Sequence, residues 1–320
     1  MVYCIGHSII SPLGEGSQAN VEAVQSGRSG LKRYSHRFAD VEPFCASLFD
    51  TPQEFVPLCI RSIKSAILTI PGETVPCSSA DTIFILSTTK GDHLDLLTPA
   101  KAIVSHFGNP NPPIVVSNAC TSGVCAQITA KRLLEAGMYK YAVVVGCDIQ
   151  SRFIVSGFQS FKALSPDPCL PFSPERAGLN LGEAAATIIY TSEPQQSGWR
   201  LMAGSIHNDA NHLSAPSRTG EGAFRCLTDV TEGILPKDIN LIGVHGTATL
   251  YNDAMELMAI ERAGLKDIPI SALKPFFGHT MGAAGIVETI IGMLLLKHGT
   301  FIKMLSGFGG VNAAIRLTCE

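Results

Sequence analysis

One cysteine lies where a reactive thiol would be expected. An apolar segment at 114–116 leads through small residues to Cys120, and a helical pattern follows over 121–135. A thiol at such a strand-to-helix turn lies beside the first free N–H groups of the helix, which favour the thiolate and can bind an oxyanion. A single cysteine is more often a buried structural residue. The sequence therefore gives Cys120 as a candidate nucleophile, with that alternative open.

Two histidines lie in comparable loops. His245 ends an apolar strand pattern and is followed by small residues, and His279 lies in a Gly/Ala-rich loop before an apolar helix. Neutral imidazoles at such positions can donate a hydrogen bond to a carbonyl oxygen. One histidine alone is more often a satisfied core or surface residue. Two in this setting indicate a site, whereas the other seven histidines have no such setting.

A lysine and two acidic residues accompany the histidines. Lys274 precedes His279 by five residues, and a lysine near a site of low polarity needs an anion. Glu256, on the predicted helix after His245, is the expected partner, and Asp253 opens the same helix. The alternative is a surface ion pair that contributes little stability.

The elements that must position these residues alternate between strands and helices. Strand patterns lie at 2–5, 82–87, 114–116, 141–145, 187–190, 199–206, 239–244 and 313–317. Helical patterns lie at 17–26, 56–68, 121–135, 254–263 and 284–297, and a turn is predicted over 6–14. This alternation predicts an α/β fold with parallel or mixed sheets.

The composition narrows the classes of protein. In 320 residues, 46% are hydrophobic, 16% are charged and the net charge is −3, which indicates a large core and gives no basic surface for nucleic acid. Ten cysteines without a C-x-x-C pair argue against a zinc site and for reduced thiols in the cytoplasm. The sequence shows no signal-peptide pattern, and its apolar runs are too short or too charged to span a membrane.

The motifs together resemble the elongating β-ketoacyl synthases that act on acyl carrier proteins, within the thiolase-like superfamily. The matching segments are 118–123, 245–249 with Asp253 and Glu256, 274–285, and the glycine-rich loop 307–313. Further matches lie at 11–14, 171–183 and 209–216, so the resemblance covers about 1–30 and 115–320. It implies a duplicated five-layer α-β-α-β-α fold with halves at 1–195 and 196–320. The nucleophile belongs to the first half and both histidines to the second.

The resemblance also implies a mechanism without metal or organic cofactor. Cys120 would take an acyl group from a carrier thioester, and His245 and His279 would bind the thioester carbonyl of a malonyl carrier as it loses carbon dioxide. The N–H groups of Cys120 and Phe308 would form the oxyanion hole, and Phe308 would gate malonyl entry. Lys274, Glu256 and Asp253 would support the histidine loops.

The chain departs from the family in length and in several positions. It is shortened over 30–115, the region that caps the site in the family, where one helix and one strand are expected, and again at 165–168. Leu179, Phe277 and Gly309 are candidates to shape the acyl pocket or its loop. Arg61 and Lys64 could contact an acidic carrier protein, although a solvated helix face is the more frequent explanation.

Three functions remain open. The first is an active ketosynthase for fatty-acid or polyketide synthesis, including polyene-type products, as a homodimer or as a heterodimer with a ketosynthase-like subunit. The second is a non-catalytic subunit that sets chain length, which the presence of Cys120 disfavours. The third is a thiolase or starter-type synthase, in which another cysteine or an asparagine would be expected in place of His279.

Overall fold

The computed structural model describes residues 1–72 and 75–320. Its strands are β1 (Tyr3–Ser11), β2 (Gly14–Glu15), β3 (Lys32–Tyr34), β4 (Phe44–Ser47), β5 (Thr82–Ser87), β6 (Ile114–Val116), β7 (Tyr141–Asp148), β8 (Leu181–Gly182), β9 (Ala184–Thr191), β10 (Arg200–Asn208), β11 (Leu241–Gly243), β12 (Ile270–Ser271), β13 (Gly299–Gly307) and β14 (Val311–Cys319). Its helices are α1 (Ser17–Gln25), α2 (Phe55–Ile67), α3 (Leu97–His106), α4 (Ser122–Glu135), α5 (Arg152–Ser160), α6 (Glu221–Thr231), α7 (Leu250–Arg262), α8 (Lys274–Phe277) and α9 (Ala284–Leu296).

The long mixed sheet consists of two halves with the same strand pattern. One half has the order β1-β9-β7-β5-β6 and the other β10-β14-β13-β11-β12. In each half the first two pairings are antiparallel and the last two are parallel. The halves join through β1 and β10, where Tyr3 pairs with Arg200. The repeated pattern shows a duplicated fold.

The helices form three layers around the two half-sheets. Helices α4 and α9 pack against each other and against strands of both halves, so they make the middle layer. Helices α2 and α3 cover the outer face of the first half, and α6 and α7 cover that of the second. Separate apolar clusters fill the middle and the two outer interfaces. The order of layers is therefore α-β-α-β-α, which confirms the predicted fold class.

The two middle helices cross at a pair of glycines. A methyl group on Gly285 of α9 would lie 2.5 Å from the nitrogen of Val124 and 2.8 Å from the carbonyl carbon of Gly123, both in α4. Only residues without a Cβ allow this approach. The crossing brings the N-terminal ends of α4 and α9 together, and with them the loops that carry Cys120 and His279.

Most predicted elements are confirmed, but the first turn is not. Residues 6–11 continue β1, and residues 6–10 pair with β9, so the predicted turn over 6–14 is wrong for its first part. The polar residues there are satisfied by neighbouring helices, because His7 hydrogen-bonds Ser17 at 2.9 Å and Ser8 donates to Ser65 at 2.8 Å. A run of polar residues that suggests a turn is therefore compatible with a strand that two helices cover.

The shortened region is richer than predicted. Besides the expected α2 and β5, residues 30–115 contain α3, the short strands β3 and β4, and the start of β6. Strands β3, β4 and β8 form a small second sheet, whose apolar side chains pack with those of α5. Helices α5 and α6 and strand β13 were also not predicted. Within the described residues no helix is both long and apolar enough to cross a membrane.

Candidate active site

The cysteine lies at a constrained turn between β6 and α4. Its neighbour Ala119 has a φ of 48°, a left-handed conformation that is uncommon outside glycine. Ser122 fixes the turn by accepting the Asn118 N–H at 2.8 Å and donating to the Ala119 carbonyl at 2.6 Å. Cys120 itself is 6% exposed. The thiol is thus held at the helix start, as the sequence predicted.

The structure brings both predicted histidines to this thiol. His279 Nε2 lies 2.9 Å from Cys120 Sγ. The rings of His245 and His279 are 5.1 Å apart, centroid to centroid, and nearly perpendicular. One ligand atom of each of the three residues lies within 4.8 Å of the others. Three segments distant in sequence therefore converge on one point.

The second ring nitrogen of each histidine faces a hydrogen-bond donor. Lys274 Nζ lies 3.1 Å from His245 Nδ1, and the Met281 N–H donates to His279 Nδ1 at 3.3 Å. Each neutral ring therefore carries its proton on Nε2, and in His279 this nitrogen faces the thiol. Histidines that bind a metal usually donate their other N–H to an acceptor. This donor set fits a pair of N–H donors better than a metal site.

Both histidines are held neutral by their surroundings. Burial is the main cause, and the charges of Lys274 and Lys303 add to it, so the pKa of each ring lies well below 6.5. A neutral ring donates a hydrogen bond without delivering a proton easily. Such a pair suits the stabilisation of a developing negative oxygen.

The anion beside Lys274 is not the one predicted. Its Nζ donates to the His245 carbonyl at 2.5 Å and to Glu288 Oε1 at 3.1 Å. Lys303 Nζ lies 2.5 Å from Glu288 Oε2 and also binds the carbonyls of Gly243 and Val244. Burial opposes ionisation of Glu288, yet the two lysines hold its pKa below the ordinary value. The predicted Lys274–Glu256 pair is therefore wrong, because Lys274 pairs with the carboxylate of Glu288 on α9.

Glu256 instead supports the backbone of the His245 loop. Its carboxylate accepts the N–H groups of His245 at 2.5 Å and Gly246 at 2.7 Å. Burial raises its pKa to about 7, and those two N–H groups oppose the rise. Asp253 accepts the N–H groups of Phe172 at 2.7 Å and Ala248 at 3.2 Å. Both acidic residues thus tie loops to α7.

The electrostatic setting of Cys120 differs from the expectation. Burial raises the pKa of the thiol to about 11, although Lys274 and hydrogen bonds from the N–H groups of Cys120 and Phe308 oppose the rise. The predicted preference for thiolate is therefore wrong in the free protein, because loss of hydration outweighs the helix terminus. The N–H groups of Cys120 and Phe308 both approach the thiol.

Two cavities meet at the cysteine. The first, of about 380 Å³, contains Cys120 and both histidines and is also lined by Leu179 and Phe308. The second, of about 300 Å³, also reaches Cys120. Phe158 and Phe308 line both cavities, and their stacked rings are 5.8 Å apart. This aromatic pair forms the wall between them.

Other predicted residues lie away from the cavities. Phe277 packs in the middle core, and Gly309 lies in an exposed turn with a φ of 87°, where its N–H donates to the Leu213 carbonyl at 2.6 Å. Arg61 is paired with Glu15 and lies on α2, as does the exposed Lys64. No described residue of α2 lines either cavity. A role of Arg61 and Lys64 in carrier docking stays a prediction.

Sequence reasoning missed three buried charged residues. Glu288 and Lys303 support the histidines as described above. Asp148 accepts hydrogen bonds from Thr88 Oγ1 at 2.8 Å and from the Gly282 N–H at 2.7 Å, and so links the loop after β5 to the loop after His279. A single charge within an otherwise apolar strand or helix was the available signal in each case.

Comparison with known proteins agrees with this fold. Residues 96–195 match the model of the β-ketoacyl synthase N-terminal domain, and residues 200–307 match that of the C-terminal domain. Together these matches take up about two thirds of the chain. The chain belongs to the β-ketoacyl synthase family.

Curated relatives include two proteins of Rhizobium meliloti. The chain is 33% identical over 226 residues to 3-oxoacyl-[acyl-carrier-protein] synthase 2 of strain 1021, which is 65% of this chain and 53% of that protein. It is 30% identical over 233 residues to nodulation protein E, which is 67% of this chain and 58% of that protein. The chain therefore spans between half and three fifths of these relatives.

Solved structures match over the whole chain. A chain of the ketosynthase–chain length factor complex of Xenorhabdus doucetiae gives a TM-score of 0.88 at 24% identity, covering 100% of this chain and 98% of that chain. A β-ketoacyl synthase of Burkholderia phymatum STM815 gives 0.87 at 18% identity, covering 100% and 99%. These likenesses show the ketosynthase fold.

Proposed function

We propose that this protein is a β-ketoacyl-acyl-carrier-protein synthase that joins an acyl group to a malonyl-derived unit. The observation that carries the proposal is the convergence of Cys120, His245 and His279, with Cys120 lining both cavities and the two histidines lining the first. A subunit that only set chain length would not need a thiol hydrogen-bonded to a histidine Nε2 at 2.9 Å.

The first step moves the acyl group to the protein. Cys120 Sγ attacks the thioester carbonyl, and the N–H groups of Cys120 and Phe308 hold the negative oxygen. The carrier thiolate leaves and takes up a proton in place of the one that Cys120 loses. Because the resting thiol is protonated, attack requires the proton to depart as the C–S bond forms.

The second step forms the new carbon–carbon bond. His245 and His279 donate hydrogen bonds from Nε2–H to the thioester oxygen of the malonyl unit. The malonyl unit becomes an enolate as carbon dioxide leaves. The enolate carbon attacks the acyl–Cys120 carbonyl, and the cysteine sulfur departs. Neutral histidines stabilise the enolate oxygen without protonating the carbon that must react.

The two cavities suggest a division of substrates. The malonyl unit must reach both histidines, and only the first of the two described cavities contains them. The second cavity reaches Cys120 from the other side of the Phe158–Phe308 wall. We therefore assign the first cavity to the carrier-bound malonyl arm and the second to the acyl chain.

The partners follow from this chemistry. We propose an acyl carrier protein as the source of both thioesters, and a dimer with a second copy or with a ketosynthase-like subunit. All ten cysteines are free thiols, which suits the cytoplasm. We also propose that residues 1–195 and 196–320 are the two duplicated halves, since β10 opens the second half-sheet after the polar segment 192–198.

One experiment tests the proposal. The purified protein is incubated with acyl-carrier thioesters of several lengths, and its intact mass is measured. We expect an acyl adduct that is absent in C120A. Failure to form an adduct with any chain, alone or with a ketosynthase-like partner, would favour the non-catalytic chain-length subunit instead.

A further inference from the structure

The second cavity contains a lysine among apolar walls. Lys90 follows β5, and its side chain is only 10% exposed. It lines the same cavity as Cys120. Much of the remaining lining is apolar, from Leu94, Leu96, Phe153, Ile154, Phe158 and Met281. A buried ammonium group in an apolar pocket needs acceptors for its three N–H bonds.

The described part of the chain supplies one weak acceptor for this ammonium group. Among the described residues, Lys90 Nζ has Asp148 Oδ1 as its hydrogen-bond acceptor, at 3.4 Å. Asp148 takes shorter bonds from Thr88 Oγ1 at 2.8 Å, the Thr89 N–H at 2.9 Å and the Gly282 N–H at 2.7 Å. Lys90 therefore balances the charge of Asp148, while most of its donor capacity is left for another group.

We propose that Lys90 selects acyl chains that carry a neutral carbonyl oxygen, such as a ketone, in the part that enters the second cavity. This inference rests on the proposed function, because it assumes that the chain is attached to Cys120. A ketone oxygen can accept hydrogen bonds from the remaining N–H groups of Lys90, whereas a plain methylene chain leaves these groups unpaired. A carboxylate is disfavoured, since Asp148 already balances the lysine and a second negative charge would be buried unpaired.

The test compares loading of matched acyl groups onto Cys120. Octanoyl-pantetheine and its three analogues with a ketone at carbon 3, 5 or 7 are reacted with the protein, and the adduct is followed by intact mass. We expect at least one ketone analogue to load roughly tenfold faster than octanoyl. In K90M this preference should disappear, while K101M, at an exposed lysine of α3, should keep it.

Each outcome separates the inference from the proposed function. If wild-type protein loads octanoyl and all three ketones at similar rates, Lys90 does not select, although the synthase assignment stands. If no thioester forms an adduct, the inference on Lys90 and the proposed function fail together. Should K90M lose its folded circular-dichroism spectrum, K90Q replaces it. That neutral amide donates more weakly, so an unchanged ketone preference in K90Q overturns the inference.

Discussion

His279 contacts the Cys120 thiol with one ring nitrogen and its own loop with the other. Nε2 lies 2.9 Å from Cys120 Sγ, and Nδ1 accepts the Met281 N–H at 3.3 Å. The backbone contact sets the tautomer, so Nε2 carries the proton and can donate a hydrogen bond. Its proposed task belongs to decarboxylation, whereas the backbone N–H groups are proposed to hold the oxyanion of acylation.

The H279A variant should separate the two steps. We expect acyl–Cys120 to form within about tenfold of the wild-type rate, and decarboxylation of malonyl carrier to fall by roughly a hundredfold or more, since one oxyanion donor is lost. Release of carbon dioxide and adduct mass measure the two steps. H298A, at an exposed histidine, serves as control. Unchanged decarboxylation in H279A would refute the role given to this ring.

The raised pKa of Cys120 predicts slow alkylation at neutral pH. With a pKa of about 11, the free protein holds the thiol form through neutral and mildly alkaline pH. The rate of iodoacetamide addition should therefore rise about tenfold per pH unit up to roughly pH 10, as the thiolate fraction grows. Mass spectrometry of the peptide containing residue 120 measures this rate. A rate already maximal at pH 7 would contradict the burial argument.

At the scale of elements, one glutamate on α9 holds two lysines from two other elements. Glu288 pairs with Lys274 of α8 and Lys303 of β13, and these lysines bind the carbonyl groups around the His245 loop. The loop position thus depends on a charge cluster inside the protein. Removing the shared anion leaves two buried ammonium groups uncompensated.

The E288Q variant should therefore be strongly destabilised. We expect a loss of about 3–5 kcal/mol in the free energy of unfolding, measured in urea at neutral pH. E261Q, at an exposed position of α7, should change it by less than about 0.5 kcal/mol. The lowered pKa of Glu288 means that its contribution is present above its unfolded pKa of 4.5 and is lost as the pH falls through the lower folded value. A wild-type urea midpoint in E288Q would show that the cluster is not structural.

The glycine crossing of α4 and α9 gives a second prediction at this scale. G285A places a methyl group 2.5 Å from the Val124 nitrogen, so the helices must separate. We expect destabilisation of about 1–3 kcal/mol and slower acylation of Cys120, because the loops at both helix starts move apart. G157A, in α5 with nothing within 4 Å of the new methyl group, should be neutral or stabilising. Equal effects of the two changes would argue against the crossing.

Prediction from sequence succeeded where a pattern is local. The apolar periods of α4 and α9 and the positions of Cys120, His245 and His279 depend on neighbouring residues, and the structure has these elements close to the predicted bounds. The partner of Lys274 depends on α9, fourteen residues later, and could not be chosen over Glu256 without the fold. The direction of the Cys120 pKa shift could not be predicted either, because the burial of the thiol depends on how the layers of the fold assemble.

At the scale of the whole molecule, each half supplies part of the candidate active site. Strand β6 of the first half-sheet leads to Cys120, and strand β11 of the second half-sheet leads to His245. Both halves pack on the shared middle layer, which joins apolar residues of α4 with those of α9. The second half also provides Lys274, Glu288 and Lys303. The site therefore exists only where the two halves are assembled.

The joint between the half-sheets is small compared with this shared layer. Strands β1 and β10 meet in the pairing of Tyr3 with Arg200, whereas α9 packs on strands of both halves. Residues 1–195 and 196–320, co-expressed as separate polypeptides, should therefore copurify and acylate Cys120, and G285A in the second piece should weaken their association. Adduct formation by the first piece alone, or failure of the pieces to copurify, would contradict this. Divided in this way, the protein would become an obligate heterodimer of its own halves. Acylation of Cys120 would then report whether the two halves have assembled.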